Sequence, residues 1–123
     1  MKSLPRAFGC PVEFSLELLG GKWKTVILAR LKEGPLRYGE LRRLIPQLSD
    51  KVLTERLDDL QSLGLIVREG DKRVSAYRLS ARGETLRPLL QALYDWGQEH
   101  ARELDVLINA RSSVGQVSRR AGR

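Results

Sequence analysis

The sequence contains few of the residues that form covalent, metal or redox sites. In 123 residues there is one cysteine, Cys10, one histidine, His100, and one methionine. A single cysteine cannot form an internal disulfide, which is typical of proteins from reducing compartments. One cysteine and one histidine are too few to make a convincing zinc site. We therefore expect no metal and no cofactor, and a fold that is held together by its hydrophobic core.

Long apolar segments are also missing. No stretch is long and apolar enough to cross a bilayer, and the N-terminus lacks the apolar core of a secretory signal. These absences predict a cytoplasmic protein without a membrane partner, and the length favours one domain. We expect a flexible N-terminus over 1–9, a folded domain over 10–110 and a disordered basic tail over 111–123.

Acidic residues are absent from the predicted tail, so much of the net charge of +7 lies there. The chain has 22 basic and 15 acidic residues, and 4 of the basic ones lie from Arg111 onward. The chain before Arg111 therefore contains 18 basic and 15 acidic residues, which leaves a small net positive charge. If this part of the chain binds nucleic acid, it must do so with a local patch rather than a broad basic face.

The first half of the chain shows the order of a helix-turn-helix unit. A helix that starts at Pro11 and stops at Gly20 and Gly21 is followed by a helix over about 23–32. A short strand at 36–37 and a helix at 38–44 come next. After the break at Pro46, a helix of about 15 residues is expected between Ser49, a good N-cap, and Gly64, a left-handed stop.

A hairpin and a long helix follow this unit. Strands are expected at 65–69 and 74–79, joined by a turn at 70–73 with a basic tip. Ser80 should cap a final helix to about Leu107, with a kink or restart at Pro88. The predicted fold is therefore mainly α with a small β-hairpin.

The helix that begins at Ser49 has two electrically different halves. Its first two turns carry Lys51, Thr54 and Arg56 together with Asp50 and Glu55, whereas the later turns carry Asp58 and Asp59 and no basic residue. Only the first half suits phosphates, so we predict that it enters the major groove of double-stranded DNA. The predicted contacts are Ser49, Lys51, Thr54 and Arg56 on this helix, Lys72 and Arg73 at the hairpin tip, and Arg37, Arg42 and Arg43 before the turn. The alternative is an ordinary solvated polar surface.

The last predicted helix carries a wide apolar stripe that needs a cover. Its apolar residues recur at a spacing near 3.5, and packing against a second copy is the simplest way to bury them. Packing on its own domain is the alternative. The predicted dimer contacts on this helix are Leu89, Leu93, Trp96 and His100.

These segments together resemble the HxlR-type transcriptional regulators. The resemblance covers roughly residues 10–100, and its combination of motifs is highly specific although no single piece is. It rests on CPVE at 10–13, GGKWK at 20–24, RYGELRRLIP at 37–46, SDKVLTERL at 49–57, GLI at 64–66, YRLS at 77–80 and WG at 96–97.

The resemblance implies a winged helix-turn-helix fold with N- and C-terminal dimerisation helices, which adds Val12 and Leu16 on the first helix to the predicted dimer interface. It also implies a bacterial or archaeal homodimer that binds a near-palindromic operator, more often as a repressor than as an activator. The segment between Glu69 and Val74 is shorter than the family's usual proline-rich wing, so a shorter reach is expected. A winged-helix protein-interaction module that does not touch DNA is the alternative function.

Cys10 matches the N-terminal cysteine through which some members of that family sense oxidants or electrophiles. It precedes a helix that starts at Pro11, and the helix dipole favours the reactive thiolate at such positions. Cys10 is therefore a candidate redox sensor for a small electrophile or oxidant. The alternative is a buried, inert cysteine. A thiol enzyme would need a positioned base, and His100 lies in a different element, so we expect no enzyme.

Overall fold

The computed structural model describes residues 4–71 and 75–108, which contain helices and one small sheet. Residues 4–10 contain no helix or strand. The predicted tail at 111–123 lies outside the described residues. In chain order the elements are α1 (Pro11–Leu19), α2 (Lys22–Leu31), β1 (Leu36–Arg37), α3 (Tyr38–Leu44), α4 (Asp50–Ser62), β2 (Ile66–Glu69), β3 (Ala76–Leu79), α5 (Ala81–Glu84) and α6 (Arg87–Glu103).

The sheet has three antiparallel strands in the order β1-β3-β2. The hairpin of β2 and β3 confirms the sequence prediction, and β1 adds a third strand on the far side of β3. In the register, Ile66 lies opposite Leu79 and Leu36 lies opposite Tyr77. β1 runs directly into α3, so the sheet joins the first helix of the helix-turn-helix unit to the hairpin.

The hydrophobic core lies between α2, α3, α4, the sheet and one face of α6. Leucine and isoleucine side chains at helical spacing dominate it, and burying each one stabilises the fold by roughly 1.5–3 kcal/mol. The fully buried side chains are Ile27, Leu28, Leu31, Leu41, Leu53, Leu57, Leu60, Ile66 and Leu90. Because three of these line one face of α4, the core determines which face of that helix points outward.

The C-terminal helix differs from its predicted extent. Ser80 caps the separate short helix α5, where its hydroxyl oxygen accepts the Gly83 N–H at 3.0 Å. A new helix, α6, begins next to Pro88, which confirms the predicted restart. The predicted end at Leu107 is wrong: α6 ends at Glu103, and Asp105 adopts a left-handed φ of 59°.

Within the described residues, no helix is both long and apolar enough to span a bilayer. The same part of the chain contains no group of three or more His, Cys, Asp or Glu side chains placed to hold a metal ion.

Candidate nucleic-acid interface

The N-terminal half of α4 forms the centre of the candidate interface. Ser49 is its N-cap, and the Ser49 hydroxyl oxygen accepts the Val52 N–H at 3.1 Å. Leu53 and Leu57 are buried, so Lys51 and Thr54 point away from the core and are exposed. The structure therefore brings Ser49, Lys51 and Thr54 together at one exposed helix end, where positive partial charge from the helix dipole favours anions.

The C-terminal end of α4 is also sharply defined. Gly64 has a φ of +75°, and the Leu65 N–H donates to the Leu60 carbonyl oxygen at 3.0 Å. The Gly64 N–H donates to the Gln61 carbonyl oxygen at 2.9 Å, which completes a Schellman motif. This confirms the predicted stop at Gly64, and it directs the chain into β2.

Contacts between α3 and the first turn of α4 lock the helix-turn-helix unit. The Tyr38 hydroxyl donates to Asp50 Oδ1 at 2.7 Å, and Arg42 Nε lies 3.0 Å from the same oxygen. Arg42 Nη1 also donates to the Leu48 carbonyl oxygen in the turn. Arg42, predicted as a phosphate contact, is thus held by groups of its own chain.

Tyr38 is a candidate functional residue that sequence reasoning missed. Its side chain is only half-buried, and its hydroxyl lies 3.4 Å from Thr54 Oγ1. Burial raises the pKa of the Tyr38 phenol, the Thr54 hydrogen bond opposes this shift, and Asp50 raises it further. The phenol is therefore protonated at neutral pH and acts as a donor to the carboxylate. The sixteen-residue separation of Tyr38 and Thr54 left no local signal for this contact.

Arg56 is less available than its neighbours on α4. Its side chain is two-thirds buried, with Nη2 3.5 Å from Glu55 Oε1 and Nη1 3.4 Å from Asp59 Oδ2. The guanidinium would have to leave both carboxylates to reach a phosphate. Its role as a DNA contact stays a prediction, and the geometry separates it from Lys51 and Thr54.

Two further arginines precede the turn between α3 and α4, one on β1 and one on α3. Arg37 and Arg43 are exposed, and Arg37 lies opposite Ala76 in the register of the sheet. The Arg37 N–H donates to Glu40 Oε1 at 2.8 Å, which caps the start of α3 and leaves the guanidinium outside that hydrogen bond. The role of these two arginines as phosphate contacts stays a prediction.

The hairpin carries a paired basic residue that sequence reasoning did not consider. Arg78 Nη2 lies 2.6 Å from Glu69 Oε2 across β2 and β3. The hydrogen bond from Arg78 lowers the pKa of Glu69, and the same bond raises the pKa of Arg78. Arg78 is therefore neutralised locally. The predicted tip contacts Lys72 and Arg73 lie outside the described residues.

The predicted dimer side chains are uncovered. Val12 and Leu16 on α1 are 64% and 63% exposed, and Trp96 on α6 is 64% exposed. Leu89 and Leu93 are exposed beside Trp96, and the His100 ring stacks on the indole with centroids 4.1 Å apart. The core uses a different face of α6, where Leu90 is buried. Two helices thus present apolar side chains to solvent.

Cys10 is exposed at the N-cap of α1. The burial assumed in the alternative is therefore wrong for the single chain, and the reactivity of the thiol stays a prediction. The Cys10 N–H donates to Glu13 Oε1 at 3.1 Å, which ties the residue to the first turn. Phe14, one turn further along α1, packs edge-on against Phe8 with centroids 5.4 Å apart. Cys10 thus lies one turn before a residue of this aromatic pair, on a helix whose apolar side chains Val12 and Leu16 are exposed.

Known proteins share this architecture and much of the sequence. The sequence model of the HxlR-like helix-turn-helix family matches residues 18–105. The HTH-type transcriptional regulator YdeP of Bacillus subtilis is 38% identical over 112 residues, covering 89% of this chain and 88% of that protein.

Two solved structures of regulators are similar as well. The redox regulator HypR in its oxidised form is 35% identical with a TM-score of 0.69, over 73% of this chain and 96% of that chain. The quinone-bound regulator YodB of B. subtilis is 33% identical with a TM-score of 0.62, over 73% of this chain and 99% of that chain. The chain therefore belongs to the HxlR-like helix-turn-helix family, whose members are DNA-binding transcriptional regulators rather than enzymes.

Proposed function

We propose that the chain acts as a homodimeric repressor that occupies a near-palindromic operator. The observation that carries this proposal is the pair of uncovered apolar faces on α1 and α6, which flank a complete helix-turn-helix unit. A two-fold dimer contact is self-complementary, so each copy contributes the same faces and receives them from its partner. Covering these side chains would present two α4 helices on one molecule.

Each α4 would enter a major groove by its N-terminal half. Ser49, Lys51 and Thr54 supply the exposed donors and acceptors there, while Arg37 and Arg43 approach the backbone beside the groove. The acidic C-terminal half of α4 would point away from the phosphates. Lys72 and Arg73 complete the proposed contacts at the hairpin tip. Half-sites should lie about one helical turn, or about 10 base pairs, apart.

Genomic fragments bound by the purified protein provide the direct test. We expect footprints that contain two related, inverted half-sites and that persist when excess unrelated DNA is added as a competitor. A protein that binds a single half-site as tightly as the full site would contradict the dimeric mode. A protein that shifts no promoter fragment, whether reduced or oxidised, would favour the protein-interaction module instead.

Replacing Lys51 with alanine should weaken operator binding and its dependence on salt. Each lost phosphate contact lowers the slope of log affinity against log salt by about one, so a dimer should lose about two. Lys51→Arg should preserve the slope because it preserves the charge. Lys22→Ala removes an equal charge at the start of α2 and serves as the matched control. An unchanged affinity and slope in Lys51→Ala would remove Lys51 from the contacts.

We further propose that Cys10 makes DNA binding sensitive to oxidants or electrophiles. The support is its exposure on α1, a helix of the proposed interface, together with the similarity to a redox regulator and a quinone-bound regulator. With diamide, two Cys10 thiols from two subunits would form a disulfide, and the diazene would take up both electrons and both protons. A quinone would instead add to one thiolate and form a thioether. Either product changes the packing of α1.

Cys10→Ser should abolish the response to these reagents. For the wild type we expect operator affinity to change at least about tenfold after treatment with diamide or a quinone, since about 1.4 kcal/mol of altered interface energy suffices. Non-reducing electrophoresis should show a cross-linked dimer only with diamide and only when Cys10 is present. An identical response of Cys10→Ser and wild type would rule out Cys10 as the sensor.

A further inference from the structure

The contacts of the Tyr38 hydroxyl determine which group donates in its hydrogen bond with Thr54. Thr54 lies on the face of α4 that is proposed to bind DNA. Asp50 accepts from Arg42 Nε at 3.0 Å and is therefore placed as a carboxylate, which can only accept. The Tyr38 hydroxyl has one proton, and it lies 2.7 Å from Asp50 Oδ1. That proton is therefore committed to the carboxylate.

Thr54 must then be the donor in its hydrogen bond with Tyr38. The two hydroxyl oxygens lie 3.4 Å apart, and the Tyr38 oxygen has no second proton to offer. A Thr54 proton directed at Tyr38 points toward α3 and away from the open side of α4. What Thr54 presents outward is an oxygen with lone pairs and no proton.

We infer that Thr54 reads an exocyclic amino group in the major groove, and that Tyr38 is the positioning residue that makes it an acceptor. In the major groove the amino groups are adenine N6 and cytosine N4, whereas guanine O6 and thymine O4 are acceptors that Thr54 would face unfavourably. The inference rests on the proposed function, because it requires the first half of α4 to enter that groove. Tyr38 would thus set base preference without touching DNA.

The base pair that Thr54 contacts is located first, by selecting bound sequences from a randomised DNA pool with the full chain. Wild type and Thr54→Val are compared, because valine has the same shape without the hydroxyl. We expect the two proteins to select the same half-site except at one base pair. If wild type selects no sequence, the proposed function itself fails. If both proteins select the same bases at every position, the inference fails while the proposed function stands.

The amino group is tested next with a modified operator. At the located position, adenine is replaced by purine, or cytosine by 2-pyrimidinone, each of which lacks only the amino group. Wild type should lose about tenfold in affinity, in line with the loss of one specific base contact, and Thr54→Val less than about twofold. Because both proteins bind the same modified operator, any effect of the weaker base pairing on affinity is common to both and cancels in the comparison. An equal loss in both would overturn the inference.

The role of Tyr38 is tested by inverting the same base pair, which exchanges the amino group for an acceptor. Wild type should discriminate about tenfold between the two orientations, and Tyr38→Phe about threefold or less, because the freed Thr54 hydroxyl can rotate and donate. Tyr94→Phe removes a hydroxyl from α6 and should behave as wild type. A purely structural role of Tyr38 would weaken both operators in parallel and leave their ratio unchanged, which would overturn its assignment as a positioning residue.

Discussion

Replacing Trp96 with glutamate is expected to convert the protein into a monomer that no longer holds its operator. Truncating a central interface tryptophan typically costs about 2 kcal/mol or more. Two-fold symmetry places Trp96 in the interface twice, so the dimer should lose about 4 kcal/mol, or about a thousandfold in its dissociation constant. A buried, unpaired carboxylate adds to that loss. Operator affinity should then fall by at least about a hundredfold.

The fold of the Trp96→Glu protomer should survive, because the indole is 64% exposed and the core uses Leu90 on another face of α6. Sedimentation measures the mass, and electrophoretic titration measures operator affinity. Gln98→Glu places the same charge about 200° around the same helix and should remain a dimer. A Trp96→Glu protein that sediments as a dimer with normal affinity would contradict the proposed interface.

Replacing Gly83 with alanine is expected to lower the folding stability more than the substitutions at the proposed DNA and dimer surfaces do. A Cβ at Gly83 would lie 2.1 Å from the Leu65 carbonyl oxygen and 3.3 Å from the Leu79 Cβ. The Leu65 carbonyl also accepts the Ser80 N–H at 3.0 Å, so it cannot move away freely. The clash should push α5 off the sheet, at about 2–3 kcal/mol of the free energy of unfolding.

For a domain of this size, that loss corresponds to a fall in Tm of roughly 10–20 °C. Thermal and urea unfolding followed by circular dichroism would measure it. Gly39→Ala is the matched control, because Gly39 also lies in a short helix, but a Cβ there would meet only the flexible end of the Arg43 side chain, at 3.9 Å. The control should be neutral or up to about 1 kcal/mol more stable. Equal melting temperatures for the Gly83→Ala and wild-type proteins would show that the clash relaxes freely.

The element order was predictable because its signals are short-range. Ser49 caps α4 through a residue three positions away, and Gly64 ends it through neighbours within one turn. Such signals depend on local backbone geometry alone, so periodicity and cap chemistry identify them. The overlong prediction for α6 has the same origin. Its apolar spacing continues to Leu107, but the turn at Asp105 ends the helix, and no glycine marks that turn.

The candidate site was predictable as a region and less so as a set of side chains. Lys51 and Thr54 are exposed at the predicted end of α4, as the helical period requires. Arg42 and Arg56 share their charge type and sequence neighbourhood, yet both are engaged by carboxylates of their own chain. The sequence shows that basic residues lie near the candidate site. Only the packing shows which of them form ion pairs with acidic residues of the same chain.

The sequence by itself determined the helix-turn-helix order, the family and the half of α4 that suits phosphates, because caps, stops and charge act over a few residues. Only the tertiary structure decided that Leu90 is buried while Leu89, Leu93 and Trp96 are exposed, since one helix has several apolar flanks and the core can use only some of them. It also decided the Tyr38–Thr54 contact. That contact depends on the crossing of α3 and α4, and no spacing along the chain encodes the direction of a hydroxyl proton.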